Sequence, residues 1–261
     1  MKLVFLGLGK MGRSILRGAL SGGFLRPEEV GVVGRTPGRA QELAEAFGIQ
    51  PLSLEALPQA ERVLLAVQPR DFPQLAPEIA HPRVGYISIM AGVSTAVLAR
   101  RLSTRRVVRA MPNLAAAIGE SSTALTAPRE AKEAGDLDFA RALFATVGGV
   151  YEIPEHLFDP FTAMSASAPA YLALVAEALA DAGVKMGMPR GLALRLAAEA
   201  MAATGELLKG RHPAELKDEV ASPGGTTIHG LHALEARALR AAFYEAVEAA
   251  TRRGHELGEA E

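Results

Sequence analysis

The feature that most narrows the fold lies at the start of the chain. An apolar run, Leu3-Val4-Phe5-Leu6, leads without a break into Gly7-Leu8-Gly9-Lys10-Met11-Gly12, and a helical pattern follows from Ser14 to Leu20. A Gly-x-Gly-x-x-Gly set between a strand and a helix meets the needs of a bound pyrophosphate. The first glycine permits the tight turn, the second lets phosphate approach the backbone, and the third lets helix and strand pack closely. The helix start adds free N–H groups and the positive end of its dipole. Such a motif alone is a weak signal. Its position directly after a strand, ahead of a continuing βαβαβ pattern, makes it specific for a dinucleotide.

That pattern runs on through Val30-Gly31-Val32-Val33, Arg62 to Val67, Val84 to Ser88 and Arg106 to Arg109, with a helical stretch from Arg39 to Phe47 between the early strands. Near-continuous apolar strands alternating with helices predict a parallel sheet covered on both faces. A short strand from Ser122 to Thr126, a helix from Arg129 to Thr146 and the Gly148-Gly149 pair close this part. The reading is an α/β chain: an N-terminal Rossmann dinucleotide-binding domain over residues 1–155. After Pro160 no β-branched run remains, and alanine, leucine and glutamate dominate. Ser167 to Gly183, Arg190 to Lys209 and Ala233 to Glu256 read as three long helices, stopped by glycine-containing breaks. Their apolar residues spread over more than one face, more than a lone copy readily buries. An all-helical C-terminal dimerisation domain over 156–261 is therefore expected, pairing with a second copy. Only the last few residues read as disordered.

The end of the second strand bears on the cofactor. An acidic residue there would bond the ribose 2′-hydroxyl of NAD; instead the chain has Arg35 followed by Thr36, a pair suited to a 2′-phosphate. NADP(H) is favoured, with NAD(H) also admitted. Net charge is −1 with no basic concentration, so nucleic acid and acidic membranes are not expected partners. The absence of cysteine excludes disulfides, thiolate catalysis and Cys-based metal sites. No apolar run is read as approaching the roughly 18 residues of a bilayer span, and no signal peptide is evident, so a cytoplasmic enzyme is expected. Arginine outnumbers lysine and there is a single asparagine, Asn113, a bias that fits a GC-rich genome, a thermophilic source, or both.

A second motif, Ser222-Pro223-Gly224-Gly225-Thr226-Thr227, lies between two helices of the C-terminal part. Two glycines before a helix start, with hydroxyls and free N–H groups, suit a carboxylate, and read alone they suit an ordinary capping loop equally well. Together with the flanking Leu216-Lys217-Asp218-Glu219-Val220 and Ile228-His229-Gly230-Leu231-His232, this stretch closely resembles the signature of pyrroline-5-carboxylate reductases. So do Val108-Arg109-Ala110-Met111-Pro112-Asn113, Ser88-Ile89-Met90-Ala91-Gly92-Val93 and Glu177 to Val184, in the same order and over essentially the whole chain.

The resemblance implies NADPH-linked reduction of 1-pyrroline-5-carboxylate to L-proline by a homodimer, commonly assembled further into decamers. It implies an active site shared between the cofactor domain of one subunit and the helical domain of its partner. Leu6, Gly7, Leu8, Gly9, Lys10, Met11 and Gly12, with Arg35 and Thr36, would hold the cofactor. Ala66, Val67, Gln68, Pro69, Ala91 and Gly92 would line its nicotinamide half, with Asn113 also at the cofactor. Ser222, Gly224, Gly225, Thr226 and Thr227 would hold the substrate, Thr227 as the catalytic group that bonds the ring nitrogen.

The chain departs from the family at Gln68, where lysine is usual, and at Ala166 and Ala168, where glycines are usual. The related β-hydroxyacid dehydrogenases are the alternative enzyme class, but their Lys-x-x-Asn-Asn pattern is absent and Lys185 reads as a helix end. A non-enzymatic NADP(H) sensor would have no use for the second motif. His229 and His232, three apart on a helix, lack a third ligand at suitable spacing, so no metal is expected.

Overall fold

Strands whose successive residues are all apolar must be covered on both faces, and the sheet of the computed structural model is built this way. Residues 1–259 are described. The strands are β1 (Leu3–Leu6), β2 (Val30–Val33), β3 (Gln50–Pro51), β4 (Arg62–Leu65), β5 (Gly85–Ser88), β6 (Val107–Met111), β7 (Ser121–Thr126) and β8 (Gly148–Glu152). They form one sheet in the order β3-β2-β1-β4-β5-β6-β7-β8. β1 to β6 are parallel, β7 turns antiparallel to β6, and β8 runs parallel to β7. Helices α1 (Lys10–Ser21), α2 (Pro37–Phe47), α3 (Phe72–Ile79), α4 (Thr95–Leu102), α5 (Arg129–Glu133), α6 (Asp136–Ala145) and α7 (Phe158–Phe161) belong to the same part.

Alternate strand residues feed two cores. Leu3, Phe5, Val30, Val32, Leu64, Ile87 and Val108 pack with residues of α1, α2 and α6. Val4, Leu6, Val33, Val63, Leu65, Tyr86 and Val107 face the other way, toward α3 and α4. Tyr86 is fully buried; its hydroxyl donates to the Ile79 carbonyl, and burial pushes its phenol up to about 12.

The sheet has two strands beyond the sequence reading. β3 is two residues long and contains a proline, and β8 begins at a glycine pair, so neither carries an apolar run. At Gly148 (φ +146°) an added Cβ would fall 2.0 Å from the Ser121 carbonyl oxygen, so only glycine lets β8 lie against β7. The helix expected from Arg129 to Thr146 is two helices, because Gly135 between α5 and α6 has φ +75°. The helix expected from Ala233 to Glu256 is also divided. One helix ends at Glu235 and the next begins at Leu239, with Ala238 between them at φ +55°.

The chain forms two compact units, Met1–Ala166 with the residues from Ala250 on, and Ser167–Ala249. The second unit contains α8 (Ala168–Lys185), α9 (Arg190–Leu207), α10 (Pro213–Val220), α11 (Thr226–Glu235) and the start of α12 (Leu239–Glu259). α12 extends helix into the stretch read as disordered; residues 260 and 261 lie outside the described residues. α8 and α9 meet through small residues, Ala180, Ala193 and Ala197. Much of their remaining apolar surface is bare: Leu174 is 66 % exposed, Leu179 51 % and Leu194 48 %. One sequence expectation is corrected here. The helical run Glu155–Lys185 is long and apolar enough, by length and composition alone, to cross a bilayer, and only 11 % of its most apolar stretch is buried within the chain. Charged residues spaced along the run, such as Asp159 and Glu177, break the apolar pattern when it is read by eye.

At the amino ends of the central strands, Asp136 in the first turn of α6 is fully buried and ties three segments together. Its carboxylate accepts from Arg62 Nε on β4 (2.9 Å) and from Arg106 Nε and Nη2 just before β6 (both 2.9 Å). These hydrogen bonds raise the Arg106 pKa above its ordinary value. Gly85 at the start of β5 must lack a side chain, since a Cβ there would lie 2.6 Å from Asp136 Oδ1. Removing one partner of a buried charge cluster leaves the others uncompensated, at a cost of about 3–5 kcal/mol. Arg106 is partly solvated, which places Asp136→Ala at the lower end. Denaturant unfolding should show a loss of about 3 kcal/mol; a loss below about 1 kcal/mol would mean that the clamp is dispensable.

Candidate functional site

β1 lies between β2 and β4, and the connections from its two sides diverge beyond its carboxyl end. In parallel α/β sheets ligands bind at this kind of switch point. Gly7 N donates to Val33 O (3.0 Å), while Leu6 O accepts from Ala66 N (3.0 Å), so the glycine turn begins where the ladder ends. Gly7 has φ +82°, and a Cβ on it would sit 3.0 Å from the Ala66 carbonyl oxygen. At Gly12 a Cβ would touch Leu8 Cδ1 at 3.3 Å and Ala66 Cβ at 3.6 Å, the close helix–strand contact.

Gly9 differs from both. Its φ of −72° is open to any residue, and nothing lies within 4 Å of an added Cβ. The folded chain makes no demand for glycine there, yet Gly9 borders both grooves that meet above the turn. One, of 480 Å³, is lined by Leu6, Gly7, Leu8, Arg35, Ala66 and Gln68, among others. The other, of 460 Å³, is lined by Lys10, Met11, Gly12, Val67, Pro69, Ala91 and neighbouring residues. Gly9 is the N-cap of α1 with no side-chain cap bond, so the first-turn N–H groups face this space. An open cradle that a Cβ would fill, at a helix N-terminus and between two adjoining grooves, fits a dinucleotide.

The anticipated cofactor residues are thus gathered, with four qualifications, the first being that Gly92, next to Ala91, lines neither groove. Arg35 is 84 % exposed and its Nη2 lies 3.3 Å from Asp71 Oδ2. Thr36 borders a separate groove beside the first, and its Oγ1 accepts from Arg39 N (3.3 Å) as the N-cap of α2. Its O–H is left to donate. Asn113 is buried and its carboxamide is committed to the protein. Oδ1 accepts from Ala115 N (3.1 Å), and Nδ2 donates to Ser165 O (3.2 Å) and Oγ (3.1 Å). Its neighbour Pro112 is the residue that reaches the groove.

Asp71, Gln74, Leu75 and Glu78 also line the first groove, and sequence reading missed them. Their i, i+3, i+4, i+7 spacing was the available signal, but Pro73 and Pro77 hid α3. Gln68 borders both grooves in the position where the family has lysine. Ala166 packs against Phe158, Met111 and Ala124, so its methyl is accommodated.

In the second unit, Ser222 to Gly225 form a tight turn (Gly225 N to Ser222 O, 3.1 Å) that delivers the chain into α11. Gly224 has φ +66°, and a Cβ at Gly225 would lie 2.3 Å from Ser222 Oγ. Thr226 and Thr227 occupy the first turn of α11, whose N-cap, Gly225, has no side-chain cap bond. Lys185 is the last residue of α8. Among the described residues no cluster of three or more His, Asp or Glu could hold a metal ion.

Comparisons with known proteins identify the chain's relatives. Residues 155–257 match the family described as pyrroline-5-carboxylate reductase dimerisation. Residues 2–92 match the family described as NADP oxidoreductase, coenzyme F420-dependent. A pyrroline-5-carboxylate reductase of Thermus thermophilus is 83 % identical over 100 % of both chains. The chain belongs to the pyrroline-5-carboxylate reductase family. It is an oxidoreductase that uses a nicotinamide cofactor, and it carries the family's dimerisation domain. A Synechocystis member is 41 % identical over 98 % of each chain. The solved Plasmodium falciparum pyrroline carboxylate reductase, which has NADP bound, superposes with a TM-score of 0.87 at 28 % identity, covering 99 % of this chain and 98 % of that one.

The two glycines of the turn separate structural from binding demands. Gly7→Ala should lose about 1–2 kcal/mol of stability, because an L-residue is forced into the left-handed region. Gly9→Ala should unfold at the parent temperature yet bind the nicotinamide dinucleotide at least roughly tenfold more weakly, the equivalent of about 1.4 kcal/mol. Thermal unfolding beside a titration checks both; a Gly9→Ala chain with parent affinity would remove the pyrophosphate from this groove.

Proposed function

We propose that the chain reduces 1-pyrroline-5-carboxylate to L-proline with NADPH as hydride donor, as a cytoplasmic homo-oligomer. Residues 1–155 hold the cofactor in this reading, and 156–261 carry dimerisation and substrate binding. What carries it is full-length likeness to named pyrroline-5-carboxylate reductases in a chain whose switch-point grooves fit a dinucleotide. The bare leucines of α8 and α9 support the pairing of copies, either as a homodimer or as a decamer of such dimers.

The cofactor supplies hydride. The chain's residues hold and align. The free N–H groups of α1 take the pyrophosphate, and Ala66 to Pro69 with Ala91 and Gly92 wall the nicotinamide half. The first turn of α11 takes the substrate carboxylate. The Thr227 hydroxyl orients the ring nitrogen, which keeps its proton and loses its charge as hydride reaches the imine carbon. No strong acid has to be delivered, so proximity and alignment are the main contributions.

NADPH oxidation followed with 1-pyrroline-5-carboxylate, against 1-pyrroline-2-carboxylate and a β-hydroxyacid panel, tests the substrate. Turnover confined to the β-hydroxyacids would overturn the reading. Thr227→Ala should lower kcat/KM by roughly one to three orders of magnitude with cofactor affinity unchanged; parent turnover would remove Thr227 from the mechanism. Arg35→Ala should weaken NADPH by about 1.5–3 kcal/mol and leave NADH nearly unaffected. Equal losses for both cofactors would mean that Arg35 supports the loop rather than reading the 2′-phosphate.

A further inference from the structure

The loop between β5 and α4 presents Met90 and Ala91 to the second groove. Its far side is covered by the end of α12, which belongs to the same compact unit. A Cβ added at Gly92 (φ +78°) would lie 3.2 Å from Leu257 Cβ, 3.3 Å from Leu257 C and 3.4 Å from Gly258 N. Reciprocally, a Cβ at Gly258 would lie 2.8 Å from the Gly92 carbonyl oxygen. One turn earlier, a Cβ at Gly254 would lie 3.2 Å from Asp159 Oδ1. Gly254 and Gly258 are four apart and share one helix face. Helical glycine costs about 1 kcal/mol relative to alanine; here Gly258 lets backbone meet backbone and Gly254 makes room for the Asp159 side chain.

A second tie holds the end of the same loop. Glu155 accepts from Thr95 N (2.7 Å) and Thr95 Oγ1 (2.5 Å) at the first residue of α4. Glu155 also pairs with Arg109 Nη1 (3.3 Å), whose Nη2 lies 3.7 Å from Asp159 Oδ1. Arg109 is buried on β6, its guanidinium 4.5 Å from the Phe158 ring centre. Arg109 therefore joins the residue that grips Thr95 to the residue that seats Gly254.

We infer that the last turn of α12, through Leu257 and Gly258, is a positioning element for the reaction: it braces the Ala91–Gly92 peptide from behind and fixes the wall against which the nicotinamide lies. The inference rests on the reading of Ala91 and Gly92 given above. The brace bears on the nicotinamide half, because among the described residues the close approaches of Gly254 and Gly258 are to Asp159 and Gly92.

The test compares NADPH with 2′-phospho-ADP-ribose, which lacks the nicotinamide, on two variants: a chain ending at Glu256, and Gly258→Val. Each should bind NADPH and turn over roughly ten- to a hundredfold less well, the range for a reacting group displaced by about an ångström. 2′-Phospho-ADP-ribose affinity and unfolding temperature should stay at the parent values, and Gly258→Ala should fall between parent and Gly258→Val. Parent NADPH affinity and parent kcat in both variants would overturn the brace. Equal loss of both ligands would overturn it too, marking the helix end as general support. Failure of the substrate reading would appear separately, as absent turnover in the parent enzyme, and leaves the binding comparison to decide.

Discussion

β1 is hydrogen-bonded along its whole length on both sides, to β2 from Leu3↔Val30 to Leu6↔Val33 and to β4 from Leu3↔Arg62 to Leu6↔Leu65. Its residues are buried between the two ladders, which together dictate its position. The chain leaves it at one end only, and the two neighbouring strands send their own continuations, Gly34-Arg35 and Ala66-Val67, to opposite sides of that exit. The gap so formed cannot be filled by the chain itself, and it is where the free N–H groups of α1 point. The groove at this switch point is thus a by-product of strand order, sharpened by three glycines with three separate duties.

The opposite, amino ends of the central strands depend on charge. Asp136 collects Arg62 and Arg106 and leaves no room for a side chain at Gly85, so β4, β5 and the approach to β6 are bound together. Such a cluster is costly to desolvate and contributes little beyond what a well-packed apolar set would. Its geometry is what counts, since the three charged partners fix strand ends that apolar contacts would let slide. The buried Arg109 does comparable work near the β5–α4 loop, where Glu155 and Asp159 give it two carboxylates and Phe158 a ring face.

Legibility in the sequence followed the strength of local signals. β1, β2, β4 and β5 could be read because short apolar runs of strand length alternate with helical stretches. β3, β8 and α3 could not: two residues with a proline, a strand opening on Gly-Gly, and a helix with two prolines carry the wrong local propensity and are held by neighbours already in place. Asn113 invited a site role by its rarity, whereas its hydrogen bonds go to Ala115 and Ser165. A side chain's type says that it needs partners; only the fold says whether those partners are protein or ligand.

The sequence by itself determined the parallel sheet, the glycine turn after β1, the helical second half and, through motif order, the family. These follow from periodicity and from glycine's unique backbone freedom, both properties of consecutive residues. Tertiary structure alone decided that Gly9 is free of its own protein while Gly7 is not, that Asp71 stands against Arg35, and that Gly258 meets Gly92 from 166 positions away in the chain. Contacts between distant segments depend on where whole elements dock, and no local run of residues encodes that distance.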